Sequence, residues 1–135
     1  MVRRRVLIAD DLPPVLETVR GLLNETYDIV GTARDGQTAL DASLRYKPEL
    51  TILDISMPGM SGLEVATELR RRGDQSKIVF LTVHEDVDIL KACQAAGGLG
   101  YVVKVRMDSD LIPAIEAAID GRLFASQFSD EKDTR

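Results

Sequence analysis

The 135-residue chain has no tryptophan, one cysteine, one histidine, and only three tyrosines and three phenylalanines. With aromatics so scarce, a core has to be assembled from Val, Ile, Leu and Ala. The lone Cys93 excludes an intramolecular disulfide and fits the cytoplasm. No apolar run approaches the length of a membrane span. The start, MVRRRVLIADD, is basic but has only four apolar residues before two acids, too short for a signal peptide. There is no long basic run and the net charge is −5, which argues against a nucleic-acid surface. Repeats and low-complexity segments are absent too.

What is present is a globular composition, 44% hydrophobic and 29% charged, at a length that suits one domain with a full core. Short β-branched runs alternate with helical patterns. Val6 to Ala9, Ile29 to Ala33, Leu50 to Leu53, Ile78 to Leu81 and Tyr101 to Val103 read as strands. Helical stripes follow them, from Val15 to Leu23, Gln37 to Tyr46, Gly62 to Arg72, about Asp86 to Ala96, and Ser109 to Asp120. This alternation predicts an α/β fold of parallel β-α-β units with helices on both sheet faces. The flavodoxin-like, doubly wound (βα)5 sheet, strand order 2-1-3-4-5, is the commonest arrangement at this length. Asp11 is the expected cap of the first helix, ahead of Pro13 and Pro14, and Gly97 a left-handed stop after the fourth. Pro113 suggests that the last helix begins later than its pattern. The final stretch, 126–135, reads as a polar tail or the start of a linker after a domain spanning 1–125.

One segment, LTILDISMPGMSG (Leu50 to Gly62), ends an apolar strand on an acid, Asp54, at once followed by a Pro58-Gly59 turn. In a parallel sheet all strands finish on the same edge, where ligands bind. The pattern therefore gathers Asp10, Asp11, Asp54, Thr82 and Lys104 at one rim. Two carboxylates about 4 Å apart repel by roughly 4 kcal/mol at an effective dielectric near 20. Lys104, a proton or a cation can relieve this. With no cysteine and no histidine cluster among the donors, a hard oxygen-ligand ion such as Mg²⁺ fits best. Mg²⁺ also accepts phosphate oxygens, and a carboxylate can attack phosphorus to give an aspartyl phosphate.

These residues carry a family resemblance. Asp10-Asp11, Asp54 with Met57-Pro58 and Gly62, Thr82, and Ala96-Gly97 ahead of Tyr101-Val102-Val103-Lys104 together resemble a response-regulator receiver domain of two-component signalling. The resemblance covers about residues 3–125. It implies that Asp54 accepts a phosphoryl group from a sensor histidine kinase. It also implies that Asp10 and Asp11, with Asp54 and the Ser56 carbonyl, hold Mg²⁺, and that Thr82 and Lys104 serve the reaction. Thr82 and Tyr101 match the pair that switches the face made by the fourth helix, fifth strand and fifth helix. The stretch Ala118 to Ser126 is similar to the receiver end of NarL/LuxR-type transcription regulators. In those, a helix-turn-helix domain, absent from this sequence, contacts DNA. The implied role is a phosphorylation switch that controls transcription, with a possible homodimer on activation, and no enzyme beyond its own phosphorylation and dephosphorylation.

Two departures stand out. Val105 replaces the family's cis proline after the lysine, and a non-proline cis bond costs about 3 kcal/mol, so a trans bond and a shifted loop are expected. Val83 replaces a small residue after Thr82 and is expected to narrow access to Asp54. Ser56 and His84 resemble positions that tune dephosphorylation. Val83 and Val105 keep alive a pseudo-receiver that binds partners without being phosphorylated. A phosphohydrolase needs a second acid two residues after its nucleophile, where this chain has Ser56. Singly, each motif has a plain reading: a capped helix start at Asp10-Asp11, a turn at Asp54, ordinary strand ends at Thr82 and Lys104. It is their joint order that points to a site.

Overall fold

The computed structural model describes residues 3–129. Six parallel strands form one sheet in the order β2-β1-β3-β4-β5-β6. They are β1 (Arg5–Ala9), β2 (Asp28–Ala33), β3 (Leu50–Asp54), β4 (Lys77–Thr82), β5 (Gly100–Val103) and a short β6 (Phe124–Ala125). The helices are α1 (Pro13–Leu23), α2 (Gly36–Tyr46), α3 (Gly62–Arg71), α4 (Val87–Ala95) and α5 (Met107–Ile119). The expected strand order therefore holds for five strands, and a sixth extends it.

Period-two alternation divides the strand side chains between two cores. Val6, Ile8, Leu50, Ile52, Val79, Leu81 and Val102 face α1 and α5, against Leu16, Val19, Leu111 and Ile115. Ala9, Leu53, Ile78, Phe80, Tyr101 and Val103 face the other layer, against Leu40, Val65 and Leu69. Both layers are mainly aliphatic packings, as the scarcity of aromatics requires. Because every strand runs the same way, Ala9, Asp54, Thr82 and Val103 end on one edge, and the loops beyond them build the site.

Three local expectations need correction. The residue that caps α1 is Leu12, not Asp11, and no side chain caps it. Instead Asp10 Oδ1 accepts the Leu12 N–H at 3.0 Å, with prolines at the first helical positions. The last helix begins earlier than Pro113 suggested, at Met107. A 3₁₀ turn, Lys104–Arg106, feeds straight into it, and the acids Asp108 and Asp110 favour its positive end. Burial of Leu111, Ala114, Ile115 and Ala118 along one stripe offsets the missing N–H of Pro113. The polar tail does not start at Ser126, since Ser126 and Phe128 are both buried in the body of the domain. The remainder of the expected tail, 130–135, lies outside the described residues.

Other expectations hold. Gly97 adopts φ 94° after α4, and no peptide bond among the described residues is cis, so Lys104-Val105 is trans. The Lys104–Arg106 turn is the form the loop takes there.

Candidate functional site

Two turns aim the acids. Asp10 follows β1 and is fully buried, its Oδ1 occupied by the Leu12 N–H. That bond turns the chain into α1 and leaves Asp11 half-buried beside it. Asp54 closes β3 and is 3% exposed, with Oδ1 accepting the Ser56 N–H at 3.3 Å. Gly62, the first residue of α3, packs directly on the Asp54 backbone. A Cβ there would lie 2.1 Å from the Asp54 carbonyl oxygen, so only glycine lets α3 start so close to the strand end. Ser61 anchors that start through a reciprocal capping box with Glu64.

Carboxylate oxygens of Asp10, Asp11 and Asp54 come within 4.8 Å of one another. Lys104 Nζ reaches into the group from the end of β5, 2.8 Å from Asp10 Oδ2 and 3.5 Å from Asp54 Oδ2. The ammonium only partly balances the cluster. Burial, and then the Asp10 charge, push the Asp54 carboxyl up to about 6, while Lys104 and the Ser56 N–H pull the other way. Asp10 Oδ2 is buried and meets the Lys104 ammonium as a charge-assisted pair, which still leaves a lone pair on that oxygen to spare. Three hard oxygen donors, excess negative charge and an underused buried acceptor fit a divalent cation of the Mg²⁺ type.

The fourth strand supplies the hydroxyl. Thr82 is 1% exposed and its Oγ1 accepts the His84 N–H at 3.0 Å. The Tyr101 phenol donates to the His84 carbonyl at 2.7 Å, with the ring buried on the α4 side of the sheet. Burial first, with help from nearby Cys93, pushes that phenol up to about 12, so it stays a donor. Ser56 Oγ and His84 Nε2 approach to 3.5 Å across the mouth of the site. Leu12, Val83 and Val105, each next to a site residue in the chain, are exposed and give this edge of the molecule an apolar rim.

The structure thus brings together Asp10, Asp11, Asp54 and Lys104, and sets Thr82, Tyr101, Ser56 and His84 in one hydrogen-bonded chain beside them. Val83 points largely to solvent, 66% exposed. Sequence reasoning missed Asp110, Ser126 and Phe128, which gather at the β5 edge of the sheet, Asp110 from α5 on one face and Phe128 against Tyr101 on the other. Ser126 Oγ donates to Asp110 Oδ2 at 2.6 Å and accepts the Val103 N–H at 3.1 Å. A polar residue between Phe124 and Phe128 was the one available signal.

Comparison with known proteins gives the same picture. The sequence profile of the response regulator receiver domain matches residues 6–116. The transcriptional regulatory protein PdtaR of Mycobacterium tuberculosis is 40% identical over 119 residues, covering 87% of this chain and 58% of that protein. The chain therefore spans little more than half the length of such curated relatives. Among solved structures, the signal receiver domain of the putative response regulator NarL from Mycobacterium tuberculosis superimposes with a TM-score of 0.86 at 27% identity, covering 90% of this chain and all of that one. The isolated receiver domain of RcsB from Salmonella enterica serovar Typhimurium, determined with the phosphomimetic BeF3−, gives 0.84 at 27% identity and covers 93% and 95%. With the profile spanning most of its length and the acidic rim in place, this chain belongs to the response regulator receiver domain family, alongside receivers of NarL/LuxR-type regulators.

Proposed function

We propose that this receiver domain is a phosphorylation switch in which Asp54 takes a phosphoryl group from a sensor histidine kinase. The observation that carries this reading is the convergence of Asp10, Asp11, Asp54 and Lys104 at one sheet edge, with Asp54 bounded by an ammonium on one side and carboxylates on the other. An Asp54 oxygen attacks phosphorus, the P–N bond to the donor imidazole breaks, and the donor nitrogen regains a proton. With acetyl phosphate the broken bond is P–O and acetate leaves.

The Asp10, Asp11 and Asp54 carboxylates, with the Ser56 carbonyl, would hold Mg²⁺, which supplies charge neutralisation for the phosphoryl oxygens. Lys104 Nζ, already 3.5 Å from Asp54 Oδ2, offers a second positive charge to the same group. Thr82 accepts from His84 N–H, so its own proton is free to be donated to a phosphoryl oxygen. The chain catalyses only its own phosphorylation and dephosphorylation. The apolar rim of Leu12, Val83 and Val105 suits docking of the kinase. The face of α4, β5 and α5 would carry the output, as a homodimer surface or as a contact to a DNA-binding domain of the kind LuxR-type relatives have. The buried Cys93 thiol suits the cytoplasm.

Intact-mass measurement after incubation with Mg²⁺ and phosphoramidate tests this. One added phosphoryl group, lost in Asp54→Asn, is expected. A pseudo-receiver, which the exposed Val83 and Val105 at the rim would also suit, gives no added mass with any donor.

A further inference from the structure

After α5 the chain turns at Gly121, φ 76°, and returns along the free edge of β5. Phe124 N–H donates to the Leu99 carbonyl at 2.9 Å and Ser126 N–H to the Tyr101 carbonyl at 2.8 Å. The Ser126 hydroxyl then ties Val103 of β5 to Asp110 of α5. Phe128 is 6% exposed, its ring centroid 5.9 Å from that of Tyr101. Ser129 ends the run with its N–H and its hydroxyl both donating to Glu85 Oε1, the hydroxyl at 2.8 Å. Residues 124–129 thus form a strap from the edge of β5 to the loop between β4 and α4.

That loop joins three things. Thr82, at its start, ends β4 next to the end of β3 that carries Asp54, and accepts the His84 N–H. The His84 carbonyl holds the Tyr101 phenol. Glu85, the next residue, holds Ser129. A cleft of about 250 Å³ lies between Glu85, Arg106 and Phe128.

We propose that residues 124–129 are a clasp on the β4–α4 loop and that occupancy of the Asp54 site tightens it. The proposal rests on the reading of Asp54 as phosphoacceptor. A hydroxyl carries one proton and two lone pairs, so Thr82 can give its proton to a phosphoryl oxygen while still accepting from His84. Donation to an anion polarises the hydroxyl and strengthens the bond it accepts, which fixes the loop. The fixed loop holds both moorings of the strap, the Tyr101 ring on which Phe128 packs, through the His84 carbonyl, and Ser129, through the Glu85 carboxylate. Closed, the clasp pairs the edge of β5, buries Phe128 and covers Tyr101. Open, it would expose all three.

Hydrogen exchange of the full chain with and without beryllium fluoride and Mg²⁺ tests the clasp, with fluorine NMR reporting the bound anion. Exchange of the Phe124 and Ser126 amides is expected to slow about five-fold, the lower end of common coupling strengths. By reciprocity Phe128→Ala should weaken beryllium fluoride binding by about the same factor. Glu85→Ala, which leaves the core and the β5–β6 pairing in place, should weaken it in the same direction even if Phe128→Ala folds poorly. Bound fluoride with unchanged or faster exchange at Phe124 and Ser126, or a Glu85→Ala chain that binds as tightly as the parent, overturns the clasp and leaves the phosphoacceptor reading standing. No bound fluoride overturns both.

Discussion

Asp54 sits where its own charge is unwelcome. Its carboxyl ordinarily titrates near 3.8, and burial together with Asp10 lifts it to about 6. The folded chain therefore holds this proton more tightly than the unfolded chain, and stability falls as pH rises between those values. The contribution is complete below 3.8 and lost once pH passes about 6. Above that, the ionised form costs on the order of 3 kcal/mol. Asp54→Asn should thus raise stability at pH 7.5 without divalent ions, by about 1–3 kcal/mol in urea denaturation. A loss of stability would mean that Lys104 more than offsets the repulsion. A divalent cation between the carboxylates would relieve the same repulsion. Sequence made Asp10, Asp11, Asp54 and Lys104 legible because a parallel sheet must finish all its strands on one edge. It misassigned the Asp11 cap because two adjacent acids compete for one turn, and the fully buried Asp10 is the one that accepts Leu12 N–H.

At the scale of elements, the site depends on how closely α3 approaches β3. The Gly62 position leaves no room for a methyl group against the Asp54 carbonyl, and backbone cannot swing aside as a flexible side chain would. Gly62→Ala should cost about 2 kcal/mol or more by overpacking. It should also slow labelling of Asp54, because the strand end moves; unchanged stability and labelling rate would refute this placement. Most elements were legible from period and length. β6 was not, since Phe124–Ala125 is a two-residue strand stabilised by partners distant in sequence, Leu99, Tyr101, Val103 and Asp110. Asp110 shows the same limit. Its burial works against ionisation, yet hydrogen bonds from Ser126, Arg106 and Ser109 hold it below the ordinary carboxylate range, a balance no local pattern discloses. The early start of α5 was hidden likewise, because a 3₁₀ turn leaves little signature in composition.

For the molecule as a whole, the site is a concentration of negative charge built onto the edge of a mainly aliphatic fold. Anything that binds it only in the folded state stabilises the entire domain by mass action. Mg²⁺ at a hundred times its dissociation constant should therefore add about 2.7 kcal/mol. A rise in melting temperature with Mg²⁺, absent in Asp11→Asn, is the expected outcome of a thermal scan. An equal rise in the variant would place the ion elsewhere. No described helix is long and apolar enough to cross a membrane, and helices cover both faces of the sheet.

The central claim is that phosphorus is captured by the side chain of Asp54 and by no other. Borohydride reduces an acyl phosphate on aspartate to homoserine, which peptide mass mapping locates. After treatment with phosphoramidate and Mg²⁺, the account predicts homoserine at position 54 alone. Homoserine at Asp10 or Asp11, or none anywhere, would contradict it.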